Sequence, residues 1–287
     1  MKSLITVCFS IFFVNISISQ SAWTKQKDEG YFQFQFNTIP TYDEVFQESG
    51  DQSLLPFREQ TQLSFNLYGE YGISDKTTLI GHIPLKIMKA GDLNDNIPWE
   101  LIDIAYLPKE ETILALGNVE LGVRQQLYAK SFVVSAQLNL KLNTSTFDKE
   151  SGLRTGYDAY SFIPTLNIGR GWNKSYVQGF AGAALRTNNY FQSLKIGVEY
   201  GQKVHEKLWA IIFIDGLITV DEGSINEPLL DSYTYLYVND QEYMAYGLKL
   251  NYSANDKVGL NFGFGGAFSA KRVAKMASLA LGVFYKI

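Results

Sequence analysis

The chain predicts an all-β fold, an antiparallel up-and-down transmembrane β-barrel of about 12 strands. Three observations predict it. Apolar residues recur with a period of two, the connections between the runs alternate between short and long, and no segment beyond the N-terminus is continuously apolar for the length of a spanning helix. Lipid offers no partner to an open strand edge, so such a chain enters a bilayer only as a closed barrel.

The first residues read as a targeting segment. Lys2 supplies positive charge, Leu4 to Ile18 is mostly apolar, and Ser17 and Ser19 are small residues at signal-peptidase spacing. The expectation is a signal peptide over 1–19, cleaved between Ser19 and Gln20. The apolar stretch is shorter than the ~20 residues of a spanning anchor. The single cysteine, Cys8, falls inside it, so the barrel domain, 20–287, holds no thiol for a disulfide, a metal site or a nucleophile. A net charge of -4 gives no footprint for nucleic acid. With 18 Tyr, 19 Phe and 24 Gly against 7 Pro, the composition favours strands and tight turns.

The strands follow in order. Tyr31 to Asn37 reads YFQFQFN, so Phe32, Phe34 and Phe36 point one way and Gln33, Gln35 and Asn37 the other. Leu63, Phe65, Leu67 and Tyr71 oppose Gln62, Ser64, Asn66 and Glu70. Val119, Leu121, Val123 and Leu127 oppose Glu120, Arg124 and Gln126. Val134, Ala136, Leu138 and Leu140 oppose Ser135, Gln137, Asn139 and Lys141. Similar alternation continues to Leu279, Leu281, Val283, Tyr285 and Ile287. The pattern predicts strands over 30–38, 61–72, 76–87, 116–129, 131–144, 158–170, 175–187, 192–203, 207–219, 240–253, 257–269 and 275–287. Most of these reach the ~9–11 residues that cross a bilayer at a tilt.

Connection lengths give an independent test. The turns near Ser74-Asp75, Ala129-Lys130, Gly171 to Asn173, Val204-His205 and Asn255-Asp256 are short. Long extracellular loops are expected near 39–60, 88–115, 145–157 and 220–239. Short turns on one rim and long loops on the other are the outer-membrane barrel pattern. An even strand number returns both chain ends to the short-turn, periplasmic rim.

The polar faces carry too many charges for a dry core, where each unpaired charge costs several kcal/mol. The apolar face therefore points outward and the polar face lines a wet lumen. The expected lumen-lining residues are Glu70, Glu120, Arg124, Lys141, Lys195, Glu199 and Lys249. Tyr71, Tyr128, Trp172, Tyr200, Trp209 and Tyr252, near strand ends, suit interfacial girdles.

The chain ends Gly282-Val283-Phe284-Tyr285-Lys286-Ile287. This resembles the C-terminal sorting signal of outer-membrane barrels, with Gly282, Tyr285 and Ile287 in the signal positions and Ala280 where a polar residue is usual. Trp23, Gly30-Tyr31, Tyr42, Phe46 and Gly50, then Glu70 to Asp75 with Pro84, then Gly117-Asn118-Val119-Glu120-Leu121-Gly122 form loose motifs along the chain. On these the chain resembles the outer-membrane barrels named for the meta-cleavage pathway of phenol degradation. That family usually has Asp where this chain has Asn118. The resemblance implies a transporter and names no ligand.

Catalytic chemistry is sparse. Of the two His residues, His82 lies in a predicted strand beside Ser64, the one arrangement open to a Ser–His hydrolase, and His205 lies at a turn. Acidic loop residues such as Asp92, Asp95, Asp148, Glu150, Asp221, Glu222, Glu227 and Asp231 lack the spacing of a Ca²⁺ loop. The expectations are no catalytic residues, no metal and no cofactor. The sequence points to a bacterial outer-membrane channel or transporter for small solutes. The alternatives are a surface adhesion or structural barrel with a plugged lumen, or a membrane-embedded hydrolase. Expected partners are the lipid bilayer with its lipopolysaccharide, the barrel-assembly machinery and a small-molecule solute.

Overall fold

A computed structural model describes residues 21–47, 53–97, 107–225 and 228–287. The expected signal peptide over 1–19 lies outside these residues, as do Gly50 of the first motif and Glu227 of the acidic loop residues.

Alternating side chains form β1 (Gly30–Tyr42), followed by a two-residue hairpin, β2 (Val45–Phe46) and β3 (Ser53–Leu54). The longest strands are next, β4 (Arg58–Ser74) and β5 (Thr77–Leu93), each of 17 residues. Then come β6 (Glu111–Leu116), β7 (Glu120–Ala129), β8 (Val133–Lys141), β9 (Ser161–Gly171) and β10 (Ser175–Arg186). β11 (Gln192–His205), β12 (Leu208–Asp221), a 7-residue helix α1 (Pro228–Thr234), β13 (Glu242–Ser253), β14 (Val258–Lys271) and β15 (Ser278–Lys286) follow.

Neighbouring strands pair antiparallel around a sheet that closes on itself. β1 pairs with β4 on one side and with β15 on the other, Phe34 facing Val283 and Gln35 facing Gly282. Gly30 and Ile287 exchange backbone hydrogen bonds at 3.1 and 3.0 Å, which seals the seam to the last residue. β6 and β7 both pair with β5 and form one interrupted wall position, so the closed barrel has 12 strand positions.

That interruption corrects the single strand expected over 116–129. β5 pairs with β7 as far as His82 and with β6 from Leu85 onward. Between them stands Pro84, which has no N–H to give a ladder and so sits where a ladder breaks. The partner chain leaves the sheet as Gly117-Asn118-Val119. Gly117 N still donates to Pro84 O at 2.8 Å. Asn118 Nδ2 donates to the carbonyls of Leu142 at 3.0 Å and Tyr157 at 2.8 Å, and its Oδ1 accepts from Tyr157 N at 2.9 Å. The motif residues Pro84 and Gly117 to Glu120 thus meet at one gap in the wall.

The other departures lie on the long-loop rim. β5 and β6 extend into the expected 88–115 loop, the β2–β3 hairpin lies within 39–60, and α1 lies within 220–239. The hairpin is fastened by Glu44, whose carboxylate accepts from Ser53 Oγ at 2.7 Å and pairs with Lys275 at 2.9 Å. The Ser53 hydroxyl and the Lys275 ammonium hold the Glu44 carboxyl below its ordinary range. That contribution is present near neutral pH and fades as acid protonates the carboxyl.

Outside, the barrel is apolar: Leu166, Ile212 and Leu281 are each more than half exposed, as are many strand neighbours. Tyr71, Tyr128, Trp172, Tyr200 and Tyr252 are exposed near the short turns, and Trp209 is half-buried there. Tyr285 and Ile287 of the expected sorting signal point outward, as does Val283, and Gly282 lets its strand approach Gln35 closely.

Replacing Asn118 by Asp removes the amide that donates to two carbonyls and keeps only acceptors. Asn118→Asp is expected to lower stability by ~1–3 kcal/mol, the cost of stranded polar groups, read as a lower midpoint of urea unfolding. An unchanged midpoint would mean that the wall break is held by other contacts.

Candidate functional site

Inside the barrel, residues 21–29 run across the short-turn end before entering β1. Ala22 N donates to Gln178 Oε1 of β10 at 2.9 Å, and Lys25 N donates to Thr78 Oγ1 of β5 at 2.8 Å. Trp23 packs edge-on to Tyr176 with ring centroids 5.7 Å apart. Asp28 N donates to Gly72 O at 2.9 Å and Gly72 N to Glu29 O at 2.9 Å. A Cβ on Gly72 would land on the Gln26 carbonyl, so glycine is what lets the segment lie against β4. This segment is a floor.

Above the floor stands a line of paired polar side chains on β7 and β8. Fully buried Arg124 donates to Trp23 O at 3.0 Å, to Glu70 Oε1 at 3.0 Å and to Gln137 Oε1 at 2.8 Å. Tyr68 OH and Lys25 Nζ also approach Glu70, at 2.6 and 3.6 Å. Gln137 Nε2 donates to Asn139 Oδ1 at 2.9 Å, Asn139 donates to Glu120, and Glu120 pairs with Lys141 at 3.4 Å. The spacing is the ladder's own, with Arg124 opposite Gln137 and Glu120 opposite Lys141. Across the barrel Glu199 pairs with Lys249 at 3.2 Å and accepts from Tyr176 OH at 2.8 Å and Gln178 Nε2 at 2.6 Å.

Beyond these pairs a chamber of about 300 Å³ opens. Of the seven expected lumen residues, Glu120, Lys141 and Lys195 line it. Glu70 and Arg124 lie against the floor, and Glu199 and Lys249 pair away from the chamber lining. Lys86, Arg186, Tyr157 and Tyr237 also line it and were not singled out from the sequence.

The far end is covered by the segment between β12 and β13. Arg154 pairs with Asp231 at 3.1 Å, Thr234 Oγ1 donates to Gly152 O at 2.8 Å, and Tyr157 OH donates to Gln241 Oε1 at 2.5 Å. Leu236 packs with Met88, Ala90 and Leu153 in a buried apolar cluster. Tyr157 meets Tyr190, Phe191 and Tyr237 edge-on. Burial pushes the Tyr237 phenol up to about 12, so it is a neutral hydroxyl facing the chamber. Lys86 Nζ contacts that hydroxyl and stands 4.4 Å from the ring centre.

The Ser64–His82 arrangement is not a catalytic pair. Ser64 lies opposite Lys86 and His82 opposite Tyr68 in the ladder. Asn66 sits between them, with Oδ1 3.0 Å from His82 Nε2 and Nδ2 donating to Ser64 Oγ at 3.0 Å. Among the described residues no group of three or more His, Cys, Asp or Glu is placed to hold a metal ion. Asp148 instead caps its own turn, accepting from Glu150 N and Ser151 N.

The fold and interior together define a closed antiparallel barrel, apolar outside and polar inside, with a chamber between a floor and a cap. No family model matches the chain and no curated protein matches it. Among solved structures, the COG4313 outer membrane channel from Pseudomonas putida F1 superposes with a TM-score of 0.69 at 12% identity, covering 95% of this chain and 100% of that one. The KdgM porin overlaps with a TM-score of 0.47 at 7% identity, over 88% of this chain and 98% of that one. The CymD monoaromatic hydrocarbon channel does so with 0.47 at 8% identity, over 91% and 88%. The first of these likenesses bears out the barrel fold.

Gly72→Ala is expected to dislodge the floor while leaving the barrel closed. Trypsin should then cut after Lys25 and Lys27 about tenfold faster, the change that ~1.4 kcal/mol of lost docking produces. Equal cleavage rates would mean that the floor does not depend on this contact.

Proposed function

We propose that this chain is an outer-membrane channel or transporter for small solutes, exported by the 1–19 signal peptide. In this reading the barrel-assembly machinery inserts it, with Gly282, Tyr285 and Ile287 as its sorting signal, into a bilayer faced by lipopolysaccharide. The apolar exterior supports the membrane setting, because soluble monomers rarely expose a continuous apolar patch of more than a few hundred Å². The observation that carries the solute-passing role is the chamber itself, a polar space enclosed in the barrel and lined by charged and amide groups. Glu70, Glu120, Arg124, Lys141, Lys195, Glu199 and Lys249 serve as lumen residues, and none acts in catalysis. The likeness to the phenol-pathway transporters supports the same reading.

The second reading is a surface or structural barrel with a plugged lumen. The floor at one end and the cap at the other favour it.

Two measurements test these readings. In planar bilayers the protein should give single-channel steps, and deleting Ser21 to Asp28 should raise the unitary conductance several-fold. Absence of steps and of solute uptake in both forms would favour the plugged barrel. Leu166→Arg places a charge midway along the outer face of β9 and should cost ~2–4 kcal/mol on folding into vesicles, as at a bilayer midplane. A cost near zero would remove the bilayer from that face.

A further inference from the structure

We infer that the central chamber is a binding site for a small organic carboxylate, an inference that rests on the channel reading above. Among the described residues, Lys86, Lys141, Arg186 and Lys195 line the chamber against one lining carboxylate, Glu120. Glu120 is already engaged by Lys141 at 3.4 Å and by the Asn139 amide. Asp215 stands one ladder step from Lys195, since it faces Gly197 while Lys195 faces Leu217. Counting it too, cations remain in excess.

When charged, four basic side chains around so small a space repel one another, and a low-dielectric wall strengthens that repulsion. The arrangement is relieved by an anion placed among them. Arg186 is fixed for this role. Its Nη1 donates to Phe191 O at 2.8 Å and Ser193 Oγ at 3.1 Å, and its guanidinium lies 4.0 Å from the Phe191 ring centre and 4.7 Å from that of Tyr157. A planar guanidinium matches a carboxylate in a two-pronged contact. The neutral hydroxyl of Tyr237 adds a donor beside Lys86. The volume sets the size, because about 300 Å³ is at the lower end of the range for small-molecule sites.

The test is calorimetric titration of the detergent-solubilised full chain with succinate, using 1,4-butanediol as the uncharged control. Saturable binding of succinate, none of the diol, and weakening by about tenfold in the Lys86→Gln/Lys195→Gln variant are expected. No saturable succinate binding, or equal affinity in a variant with an unchanged circular dichroism spectrum, would overturn the site. The reversal potential in a KCl gradient supplies a second readout. It should show anion preference in the parent protein and lose it in the variant. Succinate binding without any conductance would sink the channel reading and leave the site standing. Conductance with no succinate binding and an unchanged reversal potential would do the reverse.

Discussion

The structure depends on the closure of one hydrogen-bonded ladder. A strand has unpaired N–H and C=O groups along both edges, and lipid can satisfy neither. Pairing β1 with β15 removes the last edge, and the Gly30–Ile287 bonds carry the seam to the end of the chain. Closure also divides every strand into an inner and an outer face, so the period of two becomes a partition between lumen and surroundings. Leu166 and Leu281 are outside for the same reason that Thr165 and Gly282 face inward.

A closed ladder brings charges together inside, and most of the interior polar groups are arranged to settle them. Arg124 is fully buried yet bonded to a carboxylate, an amide and a backbone carbonyl. Breaking one member of such a buried set strands the rest, at ~3–5 kcal/mol for an ion pair. The floor takes part in that settlement, since Trp23 O and Lys25 are partners of Arg124 and Glu70. The N-terminal segment is therefore bound by the same network that the barrel needs for its own charges.

The strands were legible because period-two alternation is a local signal. Phe32, Phe34 and Phe36 announce β1 without reference to any other residue. The wall break was not, although Pro84 and Gly117 were both visible. Its cause is a pairing between residues far apart in the chain, and an alternating run from Val119 onward hides the point at which β7 begins. The floor carries no periodicity, and its first anchor, Gln178, lies 156 residues away. Alternation separates the two faces of a strand, but depth along the axis depends on register, which alternation leaves open. That is why Lys195 reaches the chamber and Lys249 does not.

The two closures differ in kind. The floor enters the wall at Gly30, and it is held by backbone groups meeting strand side chains and by the Lys25–Glu70 ion pair. The cap is tied at both ends, by β12 and β13, and is fixed by ion pairs, ring contacts and an apolar cluster. It also holds Tyr235, Tyr237 and Asp240 in the left-handed region, at φ of 54°, 50° and 58°. Such residues cost of order 1–3 kcal/mol each and persist only where their surroundings over-determine them. Here the surroundings do, because Asp240 pairs with Lys271 and Tyr237 is clasped between Lys86 and Tyr157. Removing the floor takes Trp23 O and Lys25 away from Arg124 and Glu70, whereas moving the cap dismantles a packed apolar and aromatic unit.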